Sequence, residues 1–163
     1  MQIQIVTSTG EGKTLLSAFD NALQNAGVSN YNLIVLSSII PPNSTLVRKK
    51  LYTTPPEEFG LRLYVVRAEM RSNEVGKYLA AGVGWYQLED GRGFFVEHET
   101  IGVTKIGIQS EIEKRIHDSL FDMCAFRHVR FVNEKVQSAI SVTQVQDKPA
   151  CALSIAVYQA EAW

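Results

Sequence analysis

The chain is poor in the side chains from which metal centres and disulfide frameworks are built. It has two cysteines, Cys124 and Cys151, and three histidines in 163 residues, and none falls at metal-ligand spacing. No metal is expected, and the two thiols read as small buried apolar groups in a reducing compartment. An excess of one charge is also missing: 16 Lys and Arg against 17 Asp and Glu leave a net charge of −1. No global field therefore draws the protein to nucleic acid or to an anionic membrane. No apolar run approaches the length of a membrane span. The opening Met1-Gln2-Ile3-Gln4-Ile5-Val6 is too short and too polar for a signal peptide. The expectation is a cytoplasmic protein with neither a nucleic-acid nor a membrane partner.

Hydrophobic content of 45% over 163 residues is enough to bury a real core in one domain. No linker, repeat or low-complexity stretch divides the chain, so 1–163 is read as a single domain. Ile3 and Ile5 open a first strand that a polar turn, Ser8-Thr9-Gly10-Glu11-Gly12, should close. Thr14 is a helix N-cap candidate; Leu15, Leu16, Phe19, Leu23 and Ala26 recur at helical spacing until Gly27 stops them. Tyr31 to Ser37 is apolar enough to be a buried strand, and it ends abruptly before Pro41-Pro42. Arg48-Lys49-Lys50 reads as a solvated loop. Strands are expected at Leu61–Arg67, Tyr78–Leu88, Gly93–Thr100, Val136–Val145 and Cys151–Tyr158, with a hairpin turn at Asp90-Gly91-Arg92-Gly93. Ile108, Ile112, Ile116, Leu120 and Cys124 step by four and mark a second, longer helix. Strands grouped together with two amphipathic helices predict an α+β fold, the helices covering sheet faces.

Three constellations have chemical content. Gly10-Glu11-Gly12-Lys13-Thr14 imitates the end of a phosphate-binding loop, but the full pattern needs a glycine at position 7, which is Thr7. A capped helix start accounts for it better than a nucleotide site. In Glu97-His98-Glu99, strand alternation puts both carboxylates on one face with Phe95 and the imidazole on the other. Beside aromatic side chains such carboxyls have raised pKa values and serve as general acids; a solvated sheet face explains the same pattern. The third is Ser37-Ser38. A serine hydroxyl attacks the preceding carbonyl when the backbone is strained and the oxyanion is stabilised, but a Ser-Ser pair by itself is common. No Gly-x-Ser-x-Gly elbow surrounds it.

The runs Ala18-Phe19-Asp20-Asn21-Ala22-Leu23-Gln24-Asn25-Ala26-Gly27, Asn32-Leu33-Ile34 and Leu36-Ser37-Ser38-Ile39-Ile40-Pro41-Pro42, with Gly93-Phe94-Phe95-Val96-Glu97-His98-Glu99 downstream, resemble the pyruvoyl-dependent arginine decarboxylases. The resemblance extends over essentially the whole chain and implies a four-layer αββα sandwich with mostly antiparallel sheets and two main helices. It implies self-cleavage between Ser37 and Ser38 into 1–37 and 38–163, with Ser38 converted to a pyruvoyl cofactor and no metal. Asn32 matches the residue that assists processing, Asp20 the carboxylate that holds the substrate guanidinium, and Glu97 the proton donor. The implied reaction turns L-arginine into agmatine and carbon dioxide through a Schiff base, in a homotrimer with sites at subunit boundaries. Two other classes fit the sequence: a non-catalytic relative, uncleaved, that keeps the trimer as a binding or structural module, and a nucleotide binder using Gly12-Lys13-Thr14.

Overall fold

A computed structural model describes residues 1–163. Nine strands and two long helices succeed one another as β1 (Gln2–Glu11), α1 (Leu15–Ala26), β2 (Asn32–Val35), β3 (Ile39–Ile40), β4 (Thr45–Lys49), β5 (Arg62–Ser72), β6 (Tyr78–Gln87), β7 (Gly93–Gly102), α2 (Lys105–Phe126), β8 (Gln137–Gln144) and β9 (Ala150–Glu161). The first sheet has the order β2-β5-β9-β1-β4 and the second β3-β7-β6-β8. The second is antiparallel throughout. The first is antiparallel at its centre but ends in a parallel pair on each side, β2 with β5 and β1 with β4.

Three apolar clusters define the four layers. Alternate residues of the central strand β9 face opposite ways: Ala152, Ala156 and Tyr158 enter the cluster between the sheets, whereas Cys151, Leu153, Ile155 and Val157 meet α1. In β6, Leu79, Ala81, Val83 and Trp85 point between the sheets, and Ala80 and Tyr86 point to α2. The α2 stripe of Ile108, Ile112, Ile116, Leu120 and Cys124 is buried at every position, as its four-residue step predicts. Sheet residues are small where this helix crosses. A Cβ on Gly84 would come within 2.2 Å of Ile116 Cγ2. The result is the expected αββα sandwich.

Local chemistry sets the helix ends. Thr14 Oγ1 accepts the Ser17 N–H at 3.0 Å, and Gly27, at φ 83°, closes α1. The apolar face of α1 differs from the sequence expectation. Ala18, Ala22, Leu23 and Ala26 are buried, while Leu15 and Leu16 are exposed. Small residues win because the helix lies directly on β1. Gly10 has no Cβ to hold it off, and one would sit 2.3 Å from the Ala22 nitrogen.

Three other expectations are corrected. β1 does not stop at Ser8 but runs to Glu11, because its polar stretch pairs with β9 through Glu11 opposite Ala150. Arg48 and Lys49 belong to an edge strand, not a loop, and Arg48 stacks over Trp85 at 5.0 Å. The Tyr31–Ser37 segment yields only the four-residue edge strand β2, in which Ile34 and Val35 are exposed in the protomer. No helix is long and apolar enough to cross a membrane.

Candidate active site at the sheet-to-sheet crossover

Residues 36–38 are the chain's passage from one sheet to the other. On the near side the Leu36 N–H donates to the Val65 carbonyl at 2.8 Å, the last tie to the first sheet. On the far side the Phe95 N–H donates to the Ser38 carbonyl at 2.8 Å, and Ile39 and Ile40 then pair with Phe94 and Gly93 of β7. Packed sheets lie about 10 Å apart, and three residue steps reach at most roughly 10–11 Å. The bridge has little slack, and the Ser37–Ser38 peptide is its middle.

Ser38 carries the consequence. Its φ is 68°, in the left-handed region that non-glycine residues avoid. Such a conformation costs on the order of 1–3 kcal/mol and persists only where the surroundings impose it. Here both ends are hydrogen-bonded to different sheets. The conformation turns the Ser38 hydroxyl towards β7, where it donates to Oε1 of Glu97.

Glu97 is half-buried and faces between the sheets with Phe95, on the side that strand alternation assigns it. Burial is the main cause that pushes its carboxyl above the usual carboxylate range; the Ser38 hydroxyl and its own backbone N–H oppose the shift. Glu99, two residues on, is raised first by burial and further by the charges of Glu97 and Glu69, against a hydrogen bond from the Glu69 backbone. His98 points the other way, to α2, where its Nε2 lies 2.8 Å from Ser119 Oγ. Burial and then the Arg115 charge hold its pKa below the ordinary imidazole value, against a backbone hydrogen bond at Arg115.

A cavity of about 390 Å³ opens beside the bridge, lined by Ser38, Glu97, His98, Ser119, Asp122 and Phe126 among others. That volume suits a small molecule. Its carboxylates and lack of a lining Lys or Arg favour a cationic ligand over an anionic one. Residues 38–40 enter the second sheet along only the first part of β7, so the strand edge beyond Phe95 is left open to this cavity.

The other two residues singled out from the sequence lie apart. Asn32 begins β2; its Nδ2 donates to the Gly60 carbonyl and its N–H to the Leu61 carbonyl, both at 2.8 Å. It fixes the start of the edge strand that leads to the bridge and touches neither serine. Asp20 is exposed on α1, beyond the first sheet, and does not line the Ser38 cavity of its own protomer. The glycines of Gly10-Glu11-Gly12 serve close packing: a Cβ on Gly12 would meet Ser17 Oγ at 2.3 Å.

Sequence reasoning missed Tyr158, whose hydroxyl donates to the Ile39 carbonyl at 2.9 Å. It sits in the apolar run of β9 and reads as core. Its position on the same face as Ser154 was the available signal, since that face turns out to lie between the sheets. Asp122 and Ser119 were also missed, being polar residues on an otherwise solvated helix face.

The sequence profile of the family pyruvoyl-dependent arginine decarboxylase (PvlArgDC) matches residues 2–162. A pyruvoyl-dependent arginine decarboxylase of Thermococcus kodakarensis is 30% identical over 153 residues, covering 94% of this chain and 91% of its own. The protein of that name from Pyrococcus abyssi is 31% identical with the same coverage. One from Methanococcoides burtonii is 35% identical over 102 residues, 60% of this chain and 55% of its own. A serine at the taut crossing between two sheets, a carboxyl against its hydroxyl, and this match from end to end lead to one assignment: the chain belongs to the pyruvoyl-dependent arginine decarboxylase family.

Proposed function

We propose that the chain is a self-processing arginine decarboxylase whose cofactor is made from Ser38. The carrying observation is the left-handed Ser38 with its hydroxyl on Glu97 at a bridge pinned from both sheets. Family membership supplies the reaction class.

Processing begins when Ser38 Oγ attacks the Ser37 carbonyl carbon. The hydroxyl proton passes to ionised Glu97 and on to the Ser38 nitrogen as the Ser37–Ser38 C–N bond breaks, so that the nitrogen leaves as an amine and Glu97 is ionised again. Ser37 is then esterified to Ser38. Loss of the Ser38 Cα proton with cleavage of the Cβ–O bond releases fragment 1–37 as a carboxylate and leaves a dehydroalanine at position 38. Its enamine tautomerises, water adds, and ammonia departs, leaving a pyruvoyl group at the head of fragment 38–163. Asn32 assists by anchoring β2, so that Leu36 cannot follow Ser38 and slacken the bridge.

The residues around Ser38 fit the group. Its amide carbonyl would be the one now held by the Phe95 N–H, and the cavity lies open beside it. Once formed, the pyruvoyl group supplies a ketone that condenses with the arginine α-amine and an adjacent carbonyl that takes up the electrons of decarboxylation. The Phe95 N–H steadies charge on that carbonyl. Glu97, kept protonated to higher pH by burial, returns a proton to the carbon that lost carbon dioxide. Asp20 of a neighbouring protomer receives the guanidinium, a planar cation that a carboxylate grips in bidentate fashion. Agmatine is the product, and the working assembly is a homotrimer in the cytoplasm.

Mass spectrometry of the purified protein tests this. Masses for 1–37 and a pyruvoyl-headed 38–163, with agmatine released from arginine but no product from lysine or ornithine, are expected. A single intact chain that makes no agmatine would overturn it in favour of a non-catalytic relative.

A further inference from the structure

The two sheets are joined by side-chain hydroxyls as well as by apolar packing. Ser154 Oγ donates to the Ala139 carbonyl at 2.9 Å, and Tyr158 Oη reaches from β9 to the Ile39 carbonyl of β3 at the same distance. The second contact falls one residue beyond the strained serine. Tyr158 is buried, and its ring meets the Phe95 ring edge-on at 6.2 Å. Phe95 is the residue whose N–H holds the Ser38 carbonyl. Tyr158 therefore braces both anchors on the far side of the bridge, Phe95 through its ring and Ile39 through its hydroxyl.

Left-handed Ser38 relaxes most directly by a shift of Ile39 along the edge of β7, because β3 is only two residues long and has one neighbouring strand. A short edge strand resists such a shift weakly. The Tyr158 hydroxyl opposes it from the opposite sheet, where β9 is the central strand: Tyr158 sits in a bulge between Val157 and Gln159, which pair with β5, and Val157 also pairs with β1. We propose that Tyr158 is a positioning residue for self-cleavage: it holds Ile39 so that the Ser38 hydroxyl stays between Glu97 and the Ser37 carbonyl. The inference rests on the self-processing reading above. It assigns Tyr158 no contact with the substrate.

The test follows cleavage of freshly synthesised chains in a cell-free pulse, resolving intact 1–163 from its fragments over time. Tyr158→Phe keeps the ring and deletes the hydroxyl, while Ser154→Ala deletes another cross-sheet hydroxyl, away from the bridge. Tyr158→Phe is expected to slow cleavage roughly three- to tenfold, the range that a neutral hydrogen bond spans. Ser154→Ala should cleave at the wild-type rate. Hydroxylamine, which attacks the Ser37–Ser38 ester and leaves a hydroxamate on Ser37, should yield trapped fragment from Tyr158→Phe more slowly by the same factor. That locates the defect at acyl transfer and not at elimination. Once cleaved, the variant should show wild-type kcat per pyruvoyl group titrated with a carbonyl reagent.

Equal cleavage by Tyr158→Phe and wild type would overturn the proposal alone. So would equal slowing in both variants, or slowing matched by loss of folded protein in circular dichroism. A wild-type chain that never cleaves would overturn the self-processing reading itself, and this inference with it.

Discussion

The hydroxyl of Ser38 donates a hydrogen bond to Glu97, a residue 59 positions further along the chain. One side chain belongs to the crossover between sheets and the other to a strand that the crossover runs alongside. Their meeting depends on the sandwich, since neither sheet alone would turn Ser38 to φ 68°. The same carboxyl faces two tasks that need opposite protonation states. On the proposed mechanism it is ionised to take the serine proton, and protonated to return one to the product carbon.

Ser38→Ala removes the attacking oxygen, and with it the ester whose elimination would turn Cα into the keto carbon. The chain should remain intact at 163 residues and release no agmatine, as read by intact mass and an arginine decarboxylation assay. Alanine at φ 68° is no better tolerated than serine, so the variant gains no relief and should fold normally. Two fragments from this variant would refute the chemistry.

Much of this was legible beforehand, and the exceptions have physical causes. The four-residue step of Ile108 to Cys124 fixed α2, and alternation placed Phe95 and Glu97 together, because both signals are local. Gly27 and Thr14 ended and began α1 for the same reason. The length of β1 differs because Ser8-Thr9-Gly10-Glu11-Gly12 looks like a turn until β9 pairs with Ser8 to Glu11. Leu15 and Leu16 recur at helical spacing but are exposed, because Gly10 brings the helix so close that alanines face β1 there. The role of Tyr158 was invisible, since it depends on which strand lies across the gap. For the candidate site, the motif singled out Ser38 and Glu97, but the left-handed backbone of Ser38 is a property of two sheets.

Glu97→Gln separates the two tasks of the carboxyl. Glutamine keeps an acceptor for the Ser38 hydroxyl but neither takes nor gives the proton. Decarboxylation by the cleaved fraction should fall by about 10²–10⁴, and cleavage should also slow. The wild-type pH profiles should run in opposite senses. Burial raises the folded pKa of Glu97, so as pH rises through that value the donor form is lost and kcat falls. In the precursor, where the Ser38 hydroxyl partly offsets that rise, the base form appears as pH rises and cleavage quickens. Stopped time courses of each step, measured on separately prepared precursor and processed enzyme, provide the check. Parallel profiles would take one of the roles from Glu97.

Asp20 lies outside the cavity of its own protomer, whereas Asp122 lines it. If a neighbouring Asp20 receives the guanidinium, Asp20→Asn should raise KM for arginine roughly 10- to 100-fold, the worth of a charge-assisted hydrogen bond. Cleavage should be unaffected. Asp122→Asn should change KM far less. Co-expression of Asp20→Asn with Ser38→Ala should restore some sites of normal KM, because each chain supplies what the other lacks. Hybrids with no such sites would place the guanidinium contact within one protomer and point to Asp122.

Gly10→Ala tests the seating of the helix that carries Asp20. Its new Cβ would lie 2.3 Å from the Ala22 nitrogen and 2.4 Å from the Ala18 carbonyl oxygen. These are backbone atoms, so no rotamer change makes room, and α1 must lift from β1. Overpacking of this kind costs roughly 1–3 kcal/mol, which in a domain of this size lowers Tm by about 2–12 °C. The crossover lies on other strands and should still cleave. A displaced helix moves Asp20 with it, so KM for arginine should rise while the extent of cleavage does not. Calorimetry, fragment mass and KM on one preparation check all three, and an unchanged Tm would mean that α1 does not rest on Gly10.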